Sequence, residues 1–223
     1  MPGPFERGSG PDAVSDRSAR LRAVLEEART AGFLGPGPVA AHLEHAEGFA
    51  QVAQAALRRE PSSFADLGTG GGVPGLWLAL RWSAARGVLV ESGHRRSVAL
   101  RVAVAELALD DRIEVLEERA EGVGASGSRR ESFDVVTARG FATPAVTAEI
   151  ATGLVRVGGV LVVSEPPDPD ESRWSPEGLA GLGFAPAEPA EAGKAHFVAV
   201  RKVTAAPERY PRTTGRPAKR PLW

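Results

Sequence analysis

The chain has no cysteine. That excludes a disulfide framework, a cysteine-ligated metal site and a thiol nucleophile, and it fits a reducing cytoplasm. Long apolar runs are missing too. No stretch of about 18 consecutive apolar residues occurs, so no membrane span is expected. The first residues, MPGPFERGSGPDAVSD, lack the apolar segment of a secretory signal and read as a short disordered lead over residues 1–15. No internal repeat is visible. The four histidines, His42, His45, His94 and His196, do not fall at metal-ligand spacing with carboxylates, so no metal is expected and solvated or capping roles are assigned.

What remains is ordinary globular material: 223 residues, 43% hydrophobic and 25% charged, enough for one α/β domain with a small appendage. The net charge of −1 hides a split. Residues 194–223 carry eight basic residues and a single acid, Glu208, so the rest of the chain is clearly acidic. Such a basic tail meets a polyanion or serves solubility, and charge alone does not choose between them.

Residues 16–60 read as an N-terminal helical cap. Leu21, Val24, Leu25 and Ala28 line one face of a first helix, the run GPGP at 35–38 ends it, and Val39, Leu43, Ala46, Phe49 and Ala50 build a second. From there the pattern becomes short apolar runs alternating with helical segments. Strands are expected at 63–68, 87–92, 112–118, 133–139 and 159–165, with helices near 74–84, 95–108 and 144–156. That alternation predicts a mostly parallel sheet with helices on both faces, a Rossmann-like core over residues 61–204. A late run, AHFVAVRKV at 195–203, alternates like an edge strand, and residues 205–223 form a basic C-terminal arm.

The stretch FADLGTGGGVPGLW, residues 64–77, places five glycines within eight positions directly after the first strand. In an open α/β sheet ligands sit beyond the carboxyl ends of the strands, so bare backbone there is suited to cradling one. The amides opening the next helix would then face a carboxylate or phosphate. A dinucleotide fingerprint starting at Gly68 wants glycine at position 73, which is Val73. Asp66, two residues before the first glycine, would repel a pyrophosphate but favours the ammonium and sulfonium of S-adenosyl-L-methionine. Glu91, ending the second strand, suits a pair of ribose hydroxyls. Asp66, Gly68, Gly70 and Glu91 are therefore candidate cofactor-binding residues for a class I methyltransferase, and a nicotinamide oxidoreductase is disfavoured.

The segments FADLGTGGGVPGLWLAL, LVESGHRRSVAL, RAEGV, FDVVTARGFA and above all RYPRTTGRPAKRPL resemble the RsmG (GidB) family of small-subunit ribosomal RNA methyltransferases. The resemblance covers roughly residues 39–165 and again the tail. It implies methylation of the 7-nitrogen of a guanine in 16S rRNA, with S-adenosylmethionine as cofactor and small-subunit rRNA as partner. It implies cofactor contacts at Gly68 and Val73, at Ala120 and Glu121 beside the adenine, and at Arg139 after the fourth strand. That nitrogen has a lone pair and no proton to lose, so no catalytic residue is assigned and positioning carries the reaction. The missing cysteine agrees, because carbon-directed pyrimidine methylation proceeds through a cysteine adduct.

Glu165 stands where members of this family commonly carry a lysine. A silent relative that binds S-adenosylmethionine or RNA without methyl transfer is accordingly the second reading. Arg209–Trp223 holds five basic residues, no acid and three prolines. It is expected to contact RNA phosphates and to leave cofactor affinity untouched; packing onto its own domain, with Tyr210 and Trp223 buried, is the alternative.

Overall fold

The computed structural model describes residues 11–125, 127–168 and 170–223. Most of the expected lead lies outside the described residues. Its last five residues do not match the expectation, because the first helix, α1, already begins at Pro11 and runs to Thr30. Leu21, Val24 and Leu25 are its buried stripe. Helix α2, Val39–Leu57, buries all five of its anticipated core residues.

Among the described residues seven strands form one sheet: β1 (Ser63–Leu67), β2 (Arg86–Val90), β3 (Ile113–Leu116), β4 (Phe133–Ala138), β5 (Val155–Glu165), β6 (Glu188–Ala192) and β7 (Ala195–Arg201). Their order is β3-β2-β1-β4-β5-β7-β6. The first five are mutually parallel, while β7 runs antiparallel to β5 and β6 antiparallel to β7. The chain goes one way from β1 through β2 to β3 and the other way to β4, so the crevice at their carboxyl ends is the topological switch point.

Helices α3 (Gly75–Arg81), α4 (His94–Glu106), α5 (Ala120–Val123), α6 (Pro144–Thr152) and α7 (Pro176–Gly181) connect the strands, and α8 (Arg216–Lys219) lies in the tail. Two apolar cores result, one on each face of the sheet. One joins α1–α4 to the sheet and contains Phe49, Phe64, Trp82 and Phe197. The other lies under α5–α7 and contains Leu154, Leu161, Leu179 and Phe184.

Two expectations change. The run 195–203 is not the edge strand; β6 is. Its sequence, EPAEA, has no β-branched residue, and Pro189 is compatible with a strand only because an edge leaves amides unpaired. Helix α6 ends at Thr152 rather than 156, and β5 starts at Val155. Its early residues are joined to the expected strand through Gly158 at φ 82°, beside a register irregularity against β4.

Beneath the sheet, away from the switch point, Asp134 ties the chain together. Its carboxylate accepts hydrogen bonds from Arg59 (2.7 Å), from the Ser62 amide and hydroxyl, and from Arg156. Burial raises its pKa, but these bonds outweigh that and hold the carboxyl well below its usual range.

Candidate functional site

The glycine loop sits at the carboxyl end of β1 and bends through left-handed conformations at Gly68 (φ 63°), Gly70 (φ 58°) and Gly72 (φ 99°). A Cβ at Gly68 would lie 2.7 Å from the Phe141 ring. Both the backbone conformation and the space therefore require glycine there. The loop borders a cleft of about 420 Å³ whose lining includes Gly68, Gly70, Glu91, Ala120 and Glu121. Five of the eight residues singled out from the sequence thus share one cavity, and they come from three separate strand ends.

Glu91 is the organised acid of this cleft. Its Oε1 accepts from the Gly93 amide (2.7 Å) and forms an ion pair with Arg96 (3.0 Å), and its Oε2 accepts from the Gly70 amide (3.2 Å). An ionised carboxylate has about four acceptor positions. Oε2 therefore keeps capacity for a hydroxyl while the carboxylate is held in place.

The other three candidates lie elsewhere. Asp66 is fully buried behind the loop: Oδ2 accepts from the Gly75 amide (2.9 Å) and Oδ1 from the Thr137 hydroxyl (2.7 Å). It joins β1 to β4 and fixes the entry to α3, so the Gly75 amide, expected to face a ligand, is already occupied. Burial pushes the Asp66 carboxyl up to about 6, against the opposing hydrogen bonds of Thr137 and Gly75. The Val73 side chain packs in the core at 5% exposure, so any contact it makes in the cleft is through its backbone.

Arg139 leaves the end of β4 toward α2. Its Nη2 donates to Nδ1 of His42 (2.9 Å), whose Nε2 donates in turn to the Gly35 carbonyl (3.1 Å). That arrangement requires neutral His42, and burial followed by the Arg139 charge lowers its pKa. The buried Nη1 of Arg139 has no hydrogen-bond partner among the described residues. Nearby His45 packs on Phe49 and Phe197, with its pKa lowered to about 4, chiefly by burial. Neither histidine takes the solvated or capping role expected from the sequence. Their i, i+3 spacing on the apolar face of α2 was the available signal that they point inward.

Glu165 is also not what its charge suggested. Its side chain is 3% exposed, receives Arg173 at 2.7 Å and the Trp174 indole at 3.1 Å, and so presents no free negative charge. Among the described residues no group of three or more His, Asp or Glu is placed to hold a metal ion.

The family model for rRNA small subunit methyltransferase G matches residues 44–166. The chain belongs to this family. Proteins named ribosomal RNA small subunit methyltransferase G are similar over most of its length. The one from Geobacillus thermodenitrificans is 36% identical over 170 residues, covering 73% of this chain and 71% of that one. The one from Rubrobacter xylanophilus is 34% identical over 220 residues, covering 94% and 83%. Solved structures share the fold at lower identity. A SAM-dependent O-methyltransferase from Thermotoga maritima matches with TM-score 0.59 at 14% identity, covering 83% of this chain and 73% of that one. The Streptomyces achromogenes O-methyltransferase TomG, in complex with SAM, matches with TM-score 0.56 at 19% identity, covering 83% and 90%. The class I Rossmann-like architecture of an RsmG methyltransferase is therefore established for this chain. No described helix is long and apolar enough to cross a membrane.

Proposed function

We propose that this protein transfers the methyl group of S-adenosylmethionine to the 7-nitrogen of a guanine in small-subunit ribosomal RNA, working in the cytoplasm. The observation that carries the cofactor reading is Glu91, fixed at the end of β2 by two backbone amides and the Arg96 ion pair and still able to accept from a hydroxyl on the cleft side. Bare backbone at Gly68 and Gly70 leaves room beside it, which fits a nucleoside joined to an amino acid. When bound, the cofactor supplies an electrophilic methyl on sulfonium.

In this reading the Gly68 and Gly70 backbone bounds the methionine portion, together with the backbone of Val73. Glu91 receives the ribose hydroxyls, and Ala120 and Glu121 flank the adenine. A contact from Arg139 to cofactor or base would require its side chain to leave His42, because it does not line the cleft. Asp66 acts from behind the loop, by holding β1, β4 and α3 in register and by adding negative potential under the site. A guanine 7-nitrogen releases no proton, so no general base is required of these residues; alignment of lone pair, methyl and sulfur is what they contribute.

The silent-relative reading loses the support of Glu165, because Arg173 pairs its charge and the Trp174 indole occupies its other oxygen. The test is transfer of labelled methyl from S-adenosylmethionine to small-subunit rRNA from cells lacking the native enzyme. Label should appear on one guanine. Cofactor binding with no label on rRNA would refute the transferase reading, and uptake of NAD in place of S-adenosylhomocysteine would refute the cofactor.

A further inference from the structure

The basic C-terminal segment does not stand away from the domain. Arg130 donates to the carbonyls of Pro207 (3.4 Å) and Tyr210 (2.8 Å). Further on, Arg212 forms a two-pronged contact with Glu149 of α6, with Nε on Oε1 at 2.7 Å and Nη2 on Oε2, while its own amide also reaches Oε1 at 2.9 Å. Glu149 is fully buried, so this latch is a charge pair under cover rather than a solvated surface contact. At the far end the Trp223 indole donates to the Arg173 carbonyl (2.9 Å), and its ring packs on Gly178 too closely for any side chain there. Between these two anchors the Gly215 amide donates to Oε1 of Glu121 (3.0 Å), and Ala218 is part of the cleft lining.

From this placement we infer that residues 209–223 are a strap forming one wall of the cofactor cleft, with Arg212 as a positioning residue that sets Gly215 against Glu121 and Ala218 over the cavity. The inference rests on the cofactor reading given above. It replaces the expectation that the tail and the cofactor are independent. A ligand enclosed by the strap stabilises the strap, and an ordered strap strengthens the ligand's binding by the same factor.

The probe is S-adenosylhomocysteine, titrated calorimetrically into the full chain without RNA, combined with amide hydrogen exchange. In the wild type, ligand should slow exchange at Gly215–Lys219. The double substitution Arg212→Met with Glu149→Leu removes the latch without leaving a buried charge unpaired. It should weaken S-adenosylhomocysteine binding by about tenfold. Because that variant alters the α6 core, Ala218→Trp is the companion: position 218 is exposed, so the fold is kept, and the binding constant should shift at least threefold. A purely structural strap predicts a lowered melting temperature with an unchanged binding constant and no ligand-dependent protection, and that result overturns the inference. If the wild type binds and transfers methyl normally while both variants bind equally well, the strap inference alone fails. If the wild type takes up no S-adenosylhomocysteine, the cofactor reading fails and carries this one with it.

Discussion

Asp66→Asn separates the two things Asp66 does, namely holding the loop and carrying charge. The asparagine carbonyl can accept from the Gly75 amide, and its NH2 can donate to Thr137, whose hydroxyl then turns to the Ala65 carbonyl 3.5 Å away. Geometry is kept and ionisation is removed. The wild-type carboxyl is raised from 3.8 to about 6 by burial. A group raised on folding stabilises the native state fully below its unfolded pKa and loses that contribution as pH climbs through the folded value. At about 1.4 kcal/mol per pH unit, the ionised wild-type side chain costs roughly 3 kcal/mol above pH 6, of which about 2 kcal/mol develops between pH 4.5 and 7.5. For a chain of this size each kcal/mol moves the midpoint by about 2–4 °C. The melting temperature of Asp66→Asn relative to wild type should therefore rise by roughly 4–8 °C across that pH range and level off above it. Calorimetric melting of both proteins at intervals of half a pH unit measures it. Parallel profiles, or a variant that loses ground as pH rises, would refute the account of a strained buried carboxylate.

Gly68→Ala forces an L-residue into φ 63° at a cost of about 1–2 kcal/mol, and drives its Cβ against Phe141, which lines the same cleft. The variant should remain folded with S-adenosylhomocysteine affinity reduced by about tenfold or more; an unchanged constant would take the loop out of the cofactor site. Asp134→Ala leaves Arg59 and Arg156 without their shared partner and should cost about 2–3 kcal/mol in urea unfolding, less than a fully buried pair because both arginines are partly exposed. The native carboxyl is depressed, so the wild type should lose this stabilisation as pH falls below about 4, and the variant should show a flatter acid limb. Glu165→Lys sets a second cation against Arg173 and removes the acceptor of Trp174; melting should fall with no gain in rRNA affinity, and a gain would mean the position does face RNA. Of the tail's basic residues, Arg212 is taken by Glu149, whereas Arg216, Lys219 and Arg220 are exposed. Replacing those three with alanine should lower the slope of log affinity for single-stranded rRNA against log salt by roughly 2 units, and an unchanged slope would deny them phosphate contacts.

The alternating architecture and the place of the cleft were legible in the residue pattern alone. Apolar strand runs and helical periodicity are local signals, and a glycine cluster after a strand has a meaning set by backbone sterics alone. Gly68, Gly70 and Glu91 were readable for the same reason, each following a strand whose carboxyl end a parallel sheet must bring to one edge, whereas Ala120 and Glu121 came from the family resemblance. What those local signals do not contain is the direction in which a polar side chain turns. Asp66 turns inward because Gly75 and Thr137 offer it partners there, Arg139 leans to α2 because His42 accepts from it, and Glu165 vanishes between Arg173 and Trp174. The edge strand β6 was equally hidden, since pairing with β7 rather than residue preference makes it a strand. The basic tail was the largest change. Its charge was plain, but only tertiary structure brings a fully buried Glu149 within reach of Arg212, sets the Gly215 amide on Glu121 and places Ala218 in the lining of the cleft.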